Sequence, residues 1–311
     1  MRICIQSGDL PEQFGIGRCY EMIAEAGFEA IDWNLDHALP SVRVKNLEFP
    51  GKCIFEKSLD EVMEYYKDEL AAIRRSGLAI SQAHAVFPSY IPGHPELLEY
   101  TVGLHKRTVE FCAAVGCERL VIHNTSLSDA DEENTPESIE ALNMYQFSSL
   151  IPMLKDNNVT VCLETLFTRR GKDFVEGTCS DPHEAVSCID RLNELAGREA
   201  FGLCVDVGHL NLLRKEFRTF MPIVGKRVKA LHIHDNGAYD DSHLAPFTGN
   251  VNWKHFVQSL RDIGYRGDLD FETFSQTTRA FNFDPELVMP WLQLICSTGK
   301  SFRRKITEEE R

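Results

Sequence analysis

The sequence predicts an α/β fold, a single (β/α)₈ or TIM barrel, and three observations support this prediction. Eight short apolar runs rich in β-branched residues alternate with eight charged segments of helical period. The connections that follow the helices are brief, whereas several that follow the strands are long. No other repeat interrupts this order. We therefore expect one domain over residues 1–311, with 300–311 as a short polar tail.

The strand candidates are short runs such as "RICIQ" and "VTVCLET", in which apolar and β-branched residues dominate. A charged segment with helical spacing separates each run from the next, which is the pattern of parallel strands joined by crossover helices. In chain order, the predicted strands span 2–6, 28–34, 78–84, 119–124, 159–165, 201–207, 228–235 and 268–274.

The helix candidates lie between these strands, and two of them have clear ends. The segment "LDEVMEYYKDELAAIRRSG" repeats its apolar residues with a period near 3.6 and stops at Gly77, a residue suited to a helix C-terminus. In "SDPHEAV", Asp181 is placed to cap a helix that starts with Pro182. The predicted helices span approximately 17–26, 58–76, 95–115, 136–157, 181–196, 211–226, 252–263 and 285–299.

The long loops follow the strands, at 35–57, 85–94, 166–180 and 236–251. In a (β/α)₈ barrel these loops and the strand C-termini build the active-site face, so this asymmetry is typical of an enzyme. The longest loop, 35–57, is a candidate lid, and an oligomer contact explains it equally well.

Composition limits the function classes. With 33 Lys and Arg against 47 Asp and Glu, the net charge is −14, which weighs against nucleic acid as a partner. No apolar run is long enough for a membrane span, and "MRICIQSGDL" lacks the apolar stretch of a signal peptide. Ten cysteines without a CxxC motif indicate buried, reduced thiols, so we expect a cytoplasmic location.

The polar residues at the strand ends carry the candidate chemistry. Strands 5 to 8 are sequential and therefore neighbours, and their ends present Glu, Asp, His and Glu. Three buried carboxylates require a compensating cation, and the predicted barrel-facing positions offer almost no Lys or Arg, which favours a metal over salt bridges. Three oxygens and one nitrogen suit Mn²⁺, Zn²⁺, Co²⁺ or Mg²⁺. The strand-end residues are His84, His123, Glu164, Asp206, His232 and Glu272.

Further polar residues fall on the same predicted face. In "KALHIHDNG", strand alternation places His232 and His234 on one side of the sheet. The motif "DVGH" adds His209, and "DDSH" adds Asp241 and His243, a set that could bind a second metal or substrate hydroxyl groups. Trp33 ends strand 2, where stacking on a sugar and ordinary core packing are both open.

Seven fragments in this order and spacing resemble one known family over nearly the whole chain. They are "AEAGFEAIDW" (24–33), "SQAHAVF" (81–87), "CLET" (162–165), "CVDVGH" (204–209), "LHIHDN" (231–236), "DSHLAPFTGNVNW" (241–253) and "GYRGDLDFET" (264–273). The chain is identified by them as similar to the sugar phosphate isomerase/epimerase family of the xylose isomerase-like barrel superfamily.

This resemblance implies that Glu164, Asp206, His232 and Glu272 bind one divalent metal ion, with Mn²⁺ or Zn²⁺ favoured and no organic cofactor. It also implies that His209 contacts the substrate. Proton transfer next to a carbonyl through an enediolate would follow, with Glu164 and Glu272 as acid and base. The expected partner is a small carbohydrate, and a homodimer is expected of such barrels. Other substrate contacts are predicted at His84, His123, His234 and Trp33.

Two departures from the family pattern leave the substrate open. The ketohexose 3-epimerases have a Glu six residues after the strand-5 ligand and an Arg six residues after the histidine, where this chain has Arg170 and Ala238. Another sugar, a polyol ketone, a sugar acid or the dehydration of a keto-inositol remain alternatives.

A zinc-dependent DNA-repair nuclease of the endonuclease IV type is the second hypothesis, because the chain has a residue of the right type for each of its nine ligands. A barrel that binds metal and ligand without turnover is the third, and the intact pair of glutamates weighs against it.

Overall fold

The fold is a (β/α)₈ barrel, and the computed structural model describes residues 1–126 and 135–308. The eight-stranded sheet follows the order β10-β1-β2-β3-β4-β5-β8-β9, and all pairings resolved between its strands are parallel. Its strands are β1 (Ile3–Gln6), β2 (Ala30–Asn34), β3 (Ala79–His84), β4 (Arg119–Ile122), β5 (Thr160–Glu164), β8 (Phe201–Asp206), β9 (Val228–His232) and β10 (Leu269–Phe271), and the separate hairpin comprises β6 (Phe167–Arg170) and β7 (Asp173–Glu176).

Thirteen α-helices fall within the described residues. They are α1 (Leu10–Phe14), α2 (Ile16–Glu25), α3 (Ser41–Lys45), α4 (Leu59–Arg75), α5 (Pro95–Val115), α6 (Pro136–Ser148), α7 (Ile151–Asp156), α8 (Pro182–Ala196), α9 (Val207–Leu212), α10 (Phe217–Val224), α11 (Trp253–Asp262), α12 (Phe274–Phe283) and α13 (Val288–Thr307). Short 3₁₀ turns occupy Leu35–Ala38, Ile54–Glu56, Gly225–Arg227 and Pro285–Leu287. Every helix in the described part of the chain is too short or too polar to cross a lipid bilayer.

The chain divides into two compact units. The first unit comprises Met1–Trp33, Asp68–Ser81 and the chain from Val205 onward. The second unit comprises Asn34–Lys67 and the described residues between Gln82 and Cys204. The expectation of a single domain over residues 1–311 stays a prediction.

In the first unit, β1 pairs with β2 on one side and with β10 on the other. The register places Ile5 opposite Phe271, so the next residue of β1, Gln6, lies level with Glu272. Helix α13 packs closely on these strands at Gly299, where an added Cβ would lie 2.6 Å from a methyl carbon of Ile3. Glycine is therefore required there by the close approach of helix and sheet.

In the second unit, β4 pairs with β5, and β5 pairs with the first residues of β8. Glu164 lies opposite Cys204, two residues before the end of β8. The side chains of Leu120, Val161 and Leu203 are fully buried in the core of this unit.

All eight predicted strands are confirmed, each slightly shorter than expected. The capping predictions also hold, since Gly77 has φ +73° after α4 and the Asp181 carboxylate accepts the backbone N–H groups of His183 and Glu184. Nine of the ten cysteines are buried and Cys188 is half-buried.

Several helix predictions need correction. The helix predicted at 136–157 is two helices, α6 and α7, separated by Ser149 and Leu150. The region predicted as the helix 211–226 is also two helices, α9 and α10, and α9 starts directly after β8. The predicted polar tail is wrong for residues 300–307, which form the end of α13 with Phe302 and Ile306 buried, and residues 309–311 lie outside the described residues.

Several elements were not predicted, among them the short helices α1 and α3. The loop 166–180 contains the antiparallel hairpin β6–β7, which turns at Gly171 with φ +61°. Helix α12 follows β10 where the sequence predicted a connection. The loop 35–57 contains α3 and two 3₁₀ turns, and its role as a lid or an oligomer contact stays a prediction.

Candidate active site

Asp206 is the centre of the polar cluster in the first unit. It ends β8 and also caps α9, because its Oδ1 atom accepts the backbone N–H of His209 at 2.6 Å. The strand therefore passes into the helix without a loop, and the Asp206 carboxylate is fully buried at that junction.

His232 ends β9 and is fully buried. Its Nδ1 atom lies 3.8 Å from Asp206 Oδ2 and 3.5 Å from Glu272 Oε2. Its Nε2 atom points to a different carboxylate, Asp32 on β2, whose Oδ2 atom is 3.4 Å away. The two ring nitrogens of His232 therefore face carboxylates on opposite sides.

Glu272 follows β10 directly, and its backbone N–H donates to the carbonyl of Ile233 beside it. The Gln6 side-chain amide donates to Glu272 Oε1 at 2.6 Å, which occupies one of the two carboxylate oxygens. The other oxygen, Oε2, lies 3.5 Å from Nδ1 of His232 and 3.5 Å from Nδ1 of His243. One Glu272 oxygen is thus held by an amide while the other faces two imidazoles.

His234 lies on the same side as His232, as strand alternation predicted, and it also reaches Asp206. Its Nε2 atom lies 3.0 Å and 3.1 Å from the two Asp206 oxygens. The ring stacks on His243 with centroids 4.0 Å apart and packs on Gly208, where a Cβ atom would lie 1.9 Å from His234 Cε1. The space for this imidazole exists because residue 208 has no side chain.

Asp241 lies in the loop after β9 and contacts two further histidines. Its Oδ2 atom lies 3.3 Å from His209 Nε2 and 3.2 Å from His243 Nε2. Burial would raise the pKa of Asp241, but His209 and His243 outweigh burial and hold that pKa well below its usual range. Burial would lower the pKa of His243, but Glu272 and Asp241 outweigh it and raise the pKa of His243 to about 9.

The first unit therefore offers two overlapping groups of metal-ligand atoms. Asp206, His234 and Glu272 each place one ligand atom within 4.8 Å of the others. A second group satisfies the same distance criterion and consists of His209, His234, Asp241 and His243. Imidazole nitrogens and carboxylate oxygens in this mixture suit Zn²⁺ or Mn²⁺.

The second unit has a cluster of its own, formed by the ends of β3 and β5 and the residue that follows β4. Glu164 Oε2 lies 2.9 Å from His123 Nε2 and 3.7 Å from His84 Nε2. The His123 ring stacks on Phe87 with centroids 4.2 Å apart. These three polar residues also place one ligand atom each within 4.8 Å of the others. The structure thus brings together the predicted histidines of strands 3 and 4 with Glu164.

Trp33 lies in the core rather than in a polar cluster. It is 1% exposed, and its indole N–H donates to Glu69 of α4 at 3.0 Å. Strand alternation instead directs the preceding residue, Asp32, toward His232. The core-packing interpretation therefore describes Trp33, and we do not assign it to substrate.

Two residues of the cluster were missed in the sequence. Asp32 is the residue next to Trp33 in "AIDW", and Gln6 is the last residue of β1. The rule that identified the other residues, the last polar side chain of a strand, identifies Gln6 as well. Asp32 could have been found from the alternation of β2, since its neighbours Ile31 and Trp33 are apolar.

Comparison with known proteins identifies the family to which the chain is similar. The profile of the xylose isomerase-like TIM barrel family matches residues 20–292. The uncharacterized protein y4fM of Sinorhizobium fredii is 24% identical over 263 residues, which cover 83% of this chain and 81% of that protein.

Solved structures agree in fold. A D-psicose 3-epimerase from Clostridium cellulolyticum H10 superposes with a TM-score of 0.69 at 13% identity, covering 97% of this chain and 99% of that one. An L-ribulose 3-epimerase superposes with a TM-score of 0.68 at 17% identity, covering 100% and 99%. At such identities the likeness establishes the fold. Because the family profile spans most of its length, the chain belongs to the xylose isomerase-like TIM barrel family.

Proposed function

We propose that the protein is a divalent-metal-dependent isomerase or epimerase that moves a proton next to the carbonyl group of a sugar, sugar phosphate or polyol ketone. The observation that carries this proposal is the convergence of Asp206 Oδ2 and Glu272 Oε2 on His232 Nδ1, at 3.8 Å and 3.5 Å. The sugar epimerases among the structural neighbours support a carbohydrate as the substrate class.

The donor set fits a divalent cation. Asp206, His232 and Glu272 are buried, and His232 Nδ1 lies 3.8 Å from Asp206 Oδ2 and 3.5 Å from Glu272 Oε2. Burying carboxylates at this density is costly without positive charge, and here the raised pKa of His243 already reflects their pull on a proton. A bound metal would replace such a proton as the neutralising charge and would polarise the substrate's carbonyl.

The residues of the chain supply the proton transfer. Glu272 is suited to act as the base, because Gln6 fixes one oxygen and leaves Oε2 directed into the cluster. His209 and His243, both bonded to Asp241, are suited to hold substrate hydroxyl groups. The family pattern assigns Glu164 as a further ligand and as the second acid–base group, and this assignment stays a prediction.

A solvent-deuterium experiment tests the proposal. The wild-type protein, reconstituted with Mn²⁺ in D₂O, is incubated with a panel of ketoses, inososes and sugar phosphates, and deuterium incorporation at carbon is followed by NMR. Glu272→Gln should reduce incorporation at least about 100-fold, the usual range for loss of a general base. Glu69→Gln, which changes a carboxylate bonded to Trp33 and Tyr20, is the matched control and should keep the wild-type rate. Undiminished exchange in Glu272→Gln would remove that residue from the acid–base role.

A DNA-repair nuclease of the endonuclease IV type is the second candidate, favoured by one observation. Taken unit by unit, the described residues form donor groups from His84, His123 and Glu164 in the second unit and from the two overlapping sets in the first. This number of ligands could serve more than one ion. The net charge of −14 weighs against a phosphate-backbone partner. Metal analysis separates the candidates, since about one ion per chain fits the isomerase and three zinc ions with cleavage of abasic DNA fit the nuclease.

A further inference from the structure

We propose that Asp32 is a positioning residue that selects His232, rather than His234, as the metal-binding histidine of β9 and its extension. This inference rests on the proposed function only in assuming that the cluster around Asp206 binds a divalent metal. It assigns a role to a buried carboxylate that lies outside the set of ligands.

The geometry around His232 has the form of a carboxylate–histidine–metal arrangement. A neutral imidazole carries its proton on one nitrogen and presents a lone pair on the other. Asp32 Oδ2 lies 3.4 Å from Nε2, an ion-pair distance, so the negative charge of this carboxylate favours a proton on Nε2. The lone pair is then on Nδ1, the atom that faces Asp206 and Glu272. Metal-binding histidines commonly have such an acceptor behind the ring, which fixes the tautomer and makes the ligand more basic.

His234 has a different environment, although it touches the same Asp206 carboxylate. Its Nε2 atom faces Asp206, whereas no carboxylate oxygen of the described residues lies within 4.0 Å of its Nδ1 atom. The Cε1 edge of the ring packs on Gly208. The two histidines thus share a face of the sheet and a neighbour, but only His232 has a carboxylate behind it.

The strand itself fixes Asp32 in this position. Register places Asp32 of β2 beside Gln6 of β1, which in turn donates to Glu272. On either side of Asp32, Ile31 and Trp33 are buried. An aspartate that is 1% exposed needs a compensating neighbour, and the His232 imidazole lies 3.4 Å from it.

The test measures Mn²⁺ affinity of metal-free protein by titration, with free Mn²⁺ followed by electron paramagnetic resonance. Asp32→Ala should weaken Mn²⁺ binding about 10–100-fold, the range seen when the acceptor behind a metal-binding histidine is removed. Asp32→Asn keeps an oxygen that can accept the Nε2 proton and should recover part of this loss. Glu69→Gln is the control for losing a carboxylate near β2 and should bind Mn²⁺ within twofold of wild type.

A second measurement separates positioning from a structural role. Urea unfolding of the metal-free variants measures the structural part of the effect, because Asp32→Ala removes a buried side chain and leaves the His232 imidazole without its carboxylate neighbour. If Asp32→Ala does not fold, Asp32→Asn carries the same comparison. The inference is overturned if Asp32 variants bind Mn²⁺ as wild type does, or if their affinity falls only in proportion to a loss of metal-free stability. A wild type that binds no Mn²⁺ overturns both this inference and the proposed function, whereas one that binds Mn²⁺ without acting on sugars leaves the inference standing.

Discussion

Gly208→Ala tests whether the His234 imidazole occupies the position seen in the structure. Gly208 lies in α9 and its φ is not in the left-handed region, so the backbone itself accepts alanine. The added Cβ atom would lie 1.9 Å from His234 Cε1 and 2.5 Å from Nδ1. Ordinary contact starts near 3.4 Å, so the ring must move by about 1.5 Å.

The consequences follow from what the ring contacts. A displacement of that size breaks the bonds of His234 Nε2 to Asp206, now 3.0 Å and 3.1 Å, and disturbs the stack on His243. Overpacking of a buried site costs about 1–3 kcal/mol, and the better helix propensity of alanine returns at most about 1 kcal/mol. We expect a net loss of about 1–2 kcal/mol in unfolding free energy. A misplacement of about 1 Å near the reacting groups should reduce kcat/KM about 100-fold.

Gly103→Ala is the matched control. Gly103 lies inside α5, and nothing lies within 4 Å of a Cβ atom added there. This variant should be stabilised by about 0.4–1 kcal/mol, because alanine loses less conformational entropy on folding. Urea unfolding and the exchange assay are run on both variants. Equal stability gains and wild-type activity in both would refute the packing of His234 against Gly208.

Three further predictions concern other parts of the molecule. Burial lowers the pKa of His105 from 6.5 to about 4, so between these values the unfolded chain binds a proton that the folded chain does not. The part of the unfolding free energy that depends on His105 is therefore fully present above pH 6.5 and should fall by about 3 kcal/mol by pH 4. His105→Gln should remove this part of the pH dependence of the unfolding free energy, measured by urea unfolding. The same pH dependence in wild type and variant would contradict the prediction. His232→Ala should lose tightly bound metal by elemental analysis while His234→Ala retains it, and the reverse result would exchange their roles. Gln6→Leu removes the donor to Glu272 Oε1 and should lower kcat about tenfold with KM nearly unchanged, whereas an unchanged kcat would show that Glu272 needs no such support.

The strand ends could be predicted from sequence because they depend on local patterns. Alternation and short apolar runs determine which residue ends each strand, and sequential strands of a barrel are neighbours. Glu164, Asp206, His232 and Glu272 follow from these two rules alone. The same rules place His232 and His234 on one side, and both do approach Asp206.

The partners of these residues could not be predicted, because they depend on register and on loop conformation. The pair Gln6 and Glu272 joins the first and last strands of the sheet, 266 positions apart in sequence. Asp32 and Trp33 are adjacent in β2, and from the sequence we selected Trp33, the larger side chain, as the candidate site residue. The hairpin β6–β7 was missed because its residues are largely polar and half-exposed, which hides a strand pattern.

The hairpin also bears on the substrate. The ketohexose 3-epimerases have a glutamate where this chain has Arg170, and here Arg170 is exposed at the end of β6, opposite Asp173 of β7. The position of the family's arginine is taken by Ala238, a half-buried residue with φ +62° that has no hydrogen-bonding side chain. The glutamate of that branch is therefore replaced by a residue of opposite charge, and its arginine is replaced by an apolar residue. The substrates named for the structural neighbours cannot be transferred on the fold alone. Under the proposed function, hydroxyl recognition would depend on the polar groups of this chain. The candidates are His209, Asp241 and His243 of the first unit, and a substrate screen should be interpreted through variants of these three residues.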